Sequence, residues 1–172
     1  MGRLCSVCAL FTSEKFSYIA AQRVFLDVDN YIRTIDKNSM LYQKIADIIL
    51  FDSLAINTRH MGNFGFIQDN DTTEIVSVSP IFDNGMALLG GVPNKELTNP
   101  GYKSLYYILS NTKFAITEPE EIKSLLTDRQ RKLAKEMVDF KFKMHSDYNF
   151  KEERLKLLES IIQSRAEFLS EP

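Results

Sequence analysis

The chain has 172 residues, of which 44% are hydrophobic and 26% are charged, and its formal net charge is −2 at pH 7. This size and composition fit a single globular domain over residues 1–172, large enough to bury a substantial core. The near-neutral charge provides no basic surface for direct nucleic-acid binding. No apolar run approaches the roughly 20 residues that a membrane-spanning helix needs.

Two cysteines, Cys5 and Cys8, are spaced as C-x-x-C near the start of the chain. A structural zinc site usually needs a second such pair, and the two histidines, His60 and His145, stand at unrelated positions. A thioredoxin-type motif needs a surrounding βαβ pattern, which is not present. We therefore interpret both cysteines as small core residues. So few cysteines fit a reducing, cytoplasmic environment.

A first helix is predicted near residues 12–30. Thr12 and Ser13 offer a cap at its start, and the apolar residues that follow have helical spacing. A second helix is predicted after the cap Asn38-Ser39. One face of that helix carries four residues at spacings of four, three and four, namely Leu41, Ile45, Ile48 and Asp52.

The most informative pattern lies in residues 51–85. Two short apolar runs, 64–67 and 74–78, flank the turn-rich segment QDNDTT, which predicts a β-hairpin. The segment NTRHMGNFG enters this hairpin, and the segment PIFDNG leaves it. Both loops should therefore lie at the open end of the hairpin.

Asn63 in the first loop and Asp83 in the second predict a magnesium site. Magnesium prefers oxygen ligands and is commonly held by one or two protein side chains together with substrate phosphates. Protein kinases use the same two residue types, a catalytic-loop Asn and the Asp of Asp-Phe-Gly, to hold magnesium. The alternatives are that Asn63 is a turn residue and that Asp83 forms an Asx-turn.

These motifs together resemble the carboxy-terminal lobe of the HipA-like serine/threonine kinases. The resemblance rests on FDSL, NTRHMGNFG and PIFDNG in this order, and on CALFTSE at residues 8–14. It implies a mostly α-helical α+β fold of the protein-kinase C-lobe type, with a small β-hairpin between a catalytic loop and a metal-binding loop. The family reaction is magnesium-dependent transfer of the ATP γ-phosphate to a protein hydroxyl. The implied cofactors are therefore Mg²⁺ and ATP, bound at Asn63 and Asp83.

The sequence departs from the family pattern in two ways. The family's catalytic base, an Asp that would fall between Thr58 and Arg59, is absent. The family also has a β-rich amino-terminal lobe that covers the nucleotide, whereas only a few residues precede Cys5 here. A general base contributes about 10²–10⁴-fold to such a reaction. We therefore expect the chain alone to be weakly active or inactive.

Arg59 and His60 remain as the candidate catalytic-loop residues. For His60 the resemblance implies packing beneath the loop. Arg59 pairs either with a carboxylate or with a phosphate, and the sequence does not distinguish the two. Asp52 is interpreted as a helix-end carboxylate bonded to backbone or to Arg59, and the alternative is a surrogate base.

Three functional interpretations follow. The chain is a weak or inactive kinase C-lobe, a non-catalytic pseudokinase module that binds a protein partner, or one half of a split kinase. In the split kinase, a separate polypeptide supplies the amino-terminal lobe or acts as an antitoxin-like partner. A protein substrate is expected if the chain is active, and no membrane partner is expected.

The second half of the chain is predicted to be mainly helical. Residues 86–91 suggest a strand or extended turn, residues 92–101 a loop, and residues 102–110 a short helix. From residue 117 onward the chain is predicted to be helical, with capping boxes that begin at Thr117, Thr127 and Asn149. The last helix carries one apolar stripe of Leu155, Leu158, Ile162, Ala166 and Leu169.

Overall fold

The structure is a computed structural model that describes residues 16–20, 34–57, 59, 63–97 and 119–172. Over these residues the chain combines helices with a small sheet and is mostly helical. This agrees with the predicted mixed, mostly helical character of the fold. The helices are α1 (Met40–Leu54), α2 (Pro119–Leu125), α3 (Asp128–Glu136) and α4 (Glu152–Ser170), and the strands are β1 (Phe16–Ala20), β2 (Gly65–Asp69) and β3 (Ile75–Val78).

Helix α1 begins where the sequence predicted it. Ser39 has an extended backbone, and its hydroxyl accepts a hydrogen bond from the Tyr42 amide at 3.1 Å, which satisfies one free N–H of the first turn. The helix is apolar on most of its surface because it lies between β3 on one side and α3 and α4 on others. It ends at Leu54 and delivers the chain to the first loop.

The predicted hairpin is confirmed as β2 and β3. The strands are antiparallel, with Phe66 opposite Val78 and a register irregularity between Ile67 and Gln68. The Asp69 carboxylate closes the turn by accepting the Asp71 and Thr72 amides at 2.9 and 3.0 Å.

Residues 16–20 form a strand, so the helix predicted for residues 12–30 is wrong at this point. β1 pairs antiparallel with β2, with Phe16 opposite Asp69 and Ala20 opposite Gly65, and the sheet order is β1-β2-β3. The helical spacing of a short apolar run does not distinguish a helix from a strand, and a distant strand partner decides between them. The rest of the predicted helix, including its cap, lies outside the described residues.

The main core surrounds α1. Side chains of α1 pack with Phe64 and Phe66, and these two rings meet edge to face with centroids 5.2 Å apart. The predicted stripe on α4 is confirmed, because all five of its members are buried: Leu155, Leu158, Ile162, Ala166 and Leu169. Each fully buried large apolar side chain contributes about 1.5–3 kcal/mol. The core therefore fixes the end of α1, from which the first loop starts.

Two predictions for the last third of the chain differ from the structure. The capping box of Thr127 with Gln130 is confirmed at the start of α3. The box at Asn149 is wrong, because α4 begins after Lys151 and Asn149 instead exchanges hydrogen bonds with the His145 backbone. The chain is also not helical throughout, since α3 ends at Glu136 and residues 137–151 are irregular. The expected cap at Thr117 lies outside the described residues.

The segment after Asp83 turns instead of extending. Residues 86–91 contain the 3₁₀ turn Ala87–Leu89, and a second turn, Asn94–Glu96, follows. The strand alternative for this segment is therefore wrong. The predicted helix at 102–110, like Cys5 and Cys8, lies outside the described residues. Within the described ranges, no helix has both the length and the apolar character that a bilayer crossing requires.

Candidate functional site

Asn63 and Asp83 lie together in the structure. The Asn63 Nδ2 atom donates a hydrogen bond to Asp83 Oδ2 at 2.8 Å, although the residues are 20 positions apart in the chain. The hairpin brings them together, because the Ser79 amide bonds the Gly65 carbonyl at 2.9 Å and closes the open end. Asp83 is exposed and Asn63 is half-buried, so both can reach a ligand from solvent.

Asp83 also has an unusual backbone conformation. Its φ angle is 52°, in the left-handed region that most residues avoid. Aspartate tolerates this region better than most side chains, and such residues cluster at functional sites. Here the turn aims the Asp83 carboxylate back toward Asn63.

Beneath this pair lies a buried ion pair between Arg59 and Asp52. Arg59 is 1% exposed. Its guanidinium donates two hydrogen bonds to the Asp52 carboxylate, from Nε to Oδ2 at 2.7 Å and from Nη2 to Oδ1 at 2.8 Å. Two parallel bonds between planar groups form the strongest type of side-chain pair. Arg59 therefore pairs with a carboxylate, which answers the question that its sequence position left open.

The remaining donors of Arg59 join the two loops. Its Nη1 atom donates to the carbonyl oxygens of Asn63 at 3.2 Å and Phe82 at 3.0 Å, and Nη2 donates to Asn84 Oδ1 at 2.8 Å. A guanidinium has five N–H donors, and all five of them are now engaged. Arg59 accordingly has no donor left for a phosphate, and its role is to hold the two loops together.

Asp52 occupies the position predicted for a helix-end carboxylate. It is 3% exposed and, besides Arg59, accepts a hydrogen bond from Asn57 Nδ2 at 2.8 Å. Burial raises the pKa of the Asp52 carboxyl, and this effect exceeds the opposing effect of the hydrogen bonds and charge of Arg59 and of the Asn57 bond. A carboxylate so enclosed cannot reach a substrate hydroxyl. The geometry therefore favours the structural role over that of surrogate base.

His60 and Thr58 lie outside the described residues, so the catalytic-loop role expected for His60 has no structural description. His145, the other histidine, is exposed, and its Nδ1 atom accepts the Asp147 amide at 3.0 Å.

Sequence reasoning missed two residues that shape this region. Asn84 accepts from both Arg59 and Asn57, at 2.8 and 3.2 Å. Arg154 of α4 donates to the carbonyl oxygens of Val92 at 2.9 Å and Leu88 at 3.3 Å, and so holds the segment that follows Asp83. The polar DNG turn was a signal for Asn84. Arg154 gave no local signal, because its partners lie about 60 residues earlier.

Asn63 and Asp83 are the two residues that would hold a magnesium ion arriving with a nucleotide. A half-turn of the Asn63 amide would place its oxygen beside the Asp83 carboxylate and create two neighbouring oxygen ligands. Magnesium keeps several waters and binds substrate phosphates, so it does not need a full set of protein ligands. The described ranges contain no group of three or more His, Cys, Asp or Glu that could hold a metal.

A comparison with protein-family models finds no match, and comparisons with curated proteins and with solved structures find no significant similarity.

Proposed function

We propose that the chain is the carboxy-terminal lobe of a HipA-like serine/threonine kinase and that it binds magnesium and ATP through Asn63 and Asp83. The observation that supports this most is the 2.8 Å contact between the two side chains across the hairpin. One loop provides an amide and the other a carboxylate, in the order that the resemblance implies. A turn-only role for each residue would not require their side chains to meet.

In this proposal the two residues hold the ion and the buried network sets their spacing. The bound magnesium would neutralise charge on the ATP phosphates, which is a large part of catalysis in phosphoryl transfer. Arg59 bonds the backbone on both sides, at Asn63 and at Phe82, next to Asp83. The separation of the two ligands is therefore fixed by a buried side chain that does not contact the nucleotide.

The proposed function is nucleotide binding with weak or absent transfer. The base expected between Thr58 and Arg59 is absent, and Asp52 is enclosed by Arg59 and Asn57. Loss of a general base costs about 10²–10⁴-fold in rate. Transfer to a protein hydroxyl would then depend on a partner that supplies the missing group.

Isothermal titration calorimetry with ATP, with and without magnesium, tests this proposal. We expect saturable binding only with magnesium, and its loss in Asp83→Asn. The matched control is Asp71→Asn, which changes an exposed aspartate at the far end of the hairpin and should leave binding unchanged. Binding that is absent, or equal without magnesium, would contradict the proposal and favour an interaction module that binds only a protein.

A further inference from the structure

A second concave site lies between α1 and α3. It is a cavity of about 470 Å³ to which α1, α3, the segment 137–142, Ile162 of α4 and Leu88 all contribute. Small-molecule sites usually enclose about 300–1,000 Å³ and have mostly apolar walls.

The walls of this cavity are apolar, and some of them are exposed. Three phenylalanines contribute, Phe51, Phe140 and Phe142, together with Leu133 and other aliphatic side chains. Phe51 is 36% exposed and Leu133 is 38% exposed. Large apolar side chains left open to water around a hollow are a typical mark of a ligand site.

The charged residues at the cavity give it a net negative charge. Arg129 is neutralised by Asp47, whose Oδ1 accepts from Arg129 Nη1 at 2.5 Å and from Gln130 Nε2 at 2.8 Å. Glu136 also lines the cavity, is exposed, and forms no ion pair with another described residue. The charge left for a ligand to meet is therefore the carboxylate of Glu136.

We propose that this cavity binds a small cationic amphiphile, a molecule with an aliphatic or aromatic body and an amine head group. The apolar body displaces water and contacts the phenylalanines and Leu133, and the ammonium group lies near Glu136. Aromatic rings attract cations through their faces, which adds to this preference. An anionic head group would instead be repelled by the Glu136 carboxylate. Arg129 would not compensate for this repulsion, because Asp47 already neutralises its charge.

This inference is independent of the proposed nucleotide site, although the two are neighbours. Leu88 and Ala55 both line the cavity, and the Leu88 amide bonds the Ala55 carbonyl at 2.6 Å. The cavity thus borders the segment that follows Asp83, but neither Asn63 nor Asp83 contributes to it. Either site can therefore fail without the other.

Calorimetric titration with dodecylamine, dodecanol and dodecanoate tests the proposal, with the two ionic ligands kept below their micelle concentrations and dodecanol below its solubility limit. We expect one saturable site, with dodecylamine about tenfold tighter than dodecanoate, because each attraction or repulsion at an exposed charge changes affinity by a few-fold. Glu136→Gln should weaken dodecylamine about threefold and leave dodecanol unchanged. Leu133→Gln should weaken all binding about fivefold, from the lost apolar contact.

The matched control is Val76→Gln, which changes an exposed apolar residue of β3 that does not line the cavity. All three Gln variants change exposed positions, and circular dichroism checks that they fold. The proposal is supported if Leu133→Gln weakens binding and Val76→Gln does not. It is overturned if dodecylamine shows no saturable binding, if dodecanoate binds as tightly as dodecylamine, or if the control weakens binding equally.

Discussion

Two buried arginines in this molecule have opposite environments. Arg59 and Arg165 are each 1% exposed. Arg59 uses all five donors and faces the Asp52 carboxylate. Arg165 on α4 donates from Nη1 to the Ser53 carbonyl, while its Nε and Nη2 atoms have no hydrogen-bond partner among the residues that the structure describes.

This difference separates a region held by polar bonds from a region held by packing. Around Arg59, charge and hydrogen bonds specify how two loops meet. The buried charges of Arg59 and Asp52 each depend on the other for neutralisation. Around Arg165, apolar contacts between α1 and α4 hold the structure, and the charge opposes them. Burial disfavours the charged form of Arg165 and lowers the pKa of its guanidinium to about 9. The negative end of α1, where Ser53 lies, offsets a part of this desolvation cost.

The largest effect is expected from breaking the Arg59 pair. Arg59→Met leaves the Asp52 carboxylate buried without its counter-ion, which typically costs about 3–5 kcal/mol. Urea unfolding followed by circular dichroism measures this loss. A loss below about 1 kcal/mol would mean that the network does not hold the loops.

The double variant Asp52→Asn with Arg59→Met provides a control. It removes both charges together, so it should be less destabilised than the sum of the two single variants. Simple additivity would contradict the pairing of the two side chains.

A smaller effect of opposite sign is expected at Arg165. Arg165→Met replaces a buried charge, which has no counter-ion among the described residues, with an apolar side chain. It removes a desolvation penalty of typically several kcal/mol per ion, so we expect a neutral or stabilising effect. Compared with Arg59→Met, the same substitution should therefore shift the urea midpoint in the other direction. If both variants lose several kcal/mol, the distinction between the two regions is wrong.

The pH dependence of Arg165 sharpens the comparison. Below its folded-state pKa of about 9, both the folded and the unfolded chain hold the proton, and the stability cost is constant. Above this pH the folded chain releases the proton first, so the stability of the native sequence rises relative to Arg165→Met, by up to about 1.4 kcal/mol per pH unit. Urea unfolding at neutral pH and one unit above the pKa should show the advantage of the variant shrinking. A constant difference would contradict this.

The smallest effect on stability is expected at the pair of Asn63 and Asp83. Asn63→Ala removes one hydrogen bond between a half-buried and an exposed side chain, and such changes usually stay within about 0.5 kcal/mol. Urea unfolding should therefore barely distinguish this variant from the native sequence. A loss above about 2 kcal/mol would assign Asn63 to the structural network instead of to a ligand site.

Local sequence signals predicted several elements correctly. The Ser39 side chain accepts the Tyr42 amide, and the Thr127 amide donates to the Gln130 side chain, so each signal and its partner lie three residues apart. The hairpin was predicted because its turn chemistry is local to Asp69. The proximity of Asn63 and Asp83 then followed from strand pairing.

What the sequence missed depends on distant partners. β1 is a strand because it pairs with β2, whose partner residues lie 45 to 53 positions later, and no residue near β1 encodes this pairing. The partners of Arg59 include Phe82 and Asn84, and those of Arg154 include Val92. The Phe82 and Val92 bonds go to backbone carbonyls, which carry no residue-specific signal in a sequence. The Asn84 bond goes to a side-chain oxygen 25 positions away.

The affinity for ATP in the presence and absence of magnesium, measured by calorimetry across a double-mutant cycle of Asn63→Ala and Asp83→Asn, tests the central claim most directly. If both side chains hold the same ion, losing either one removes most of the magnesium-dependent affinity, and the double variant is no weaker than the weaker single variant. Losses that simply add, or magnesium-dependent binding that persists in the double variant, would contradict a shared ion at this pair.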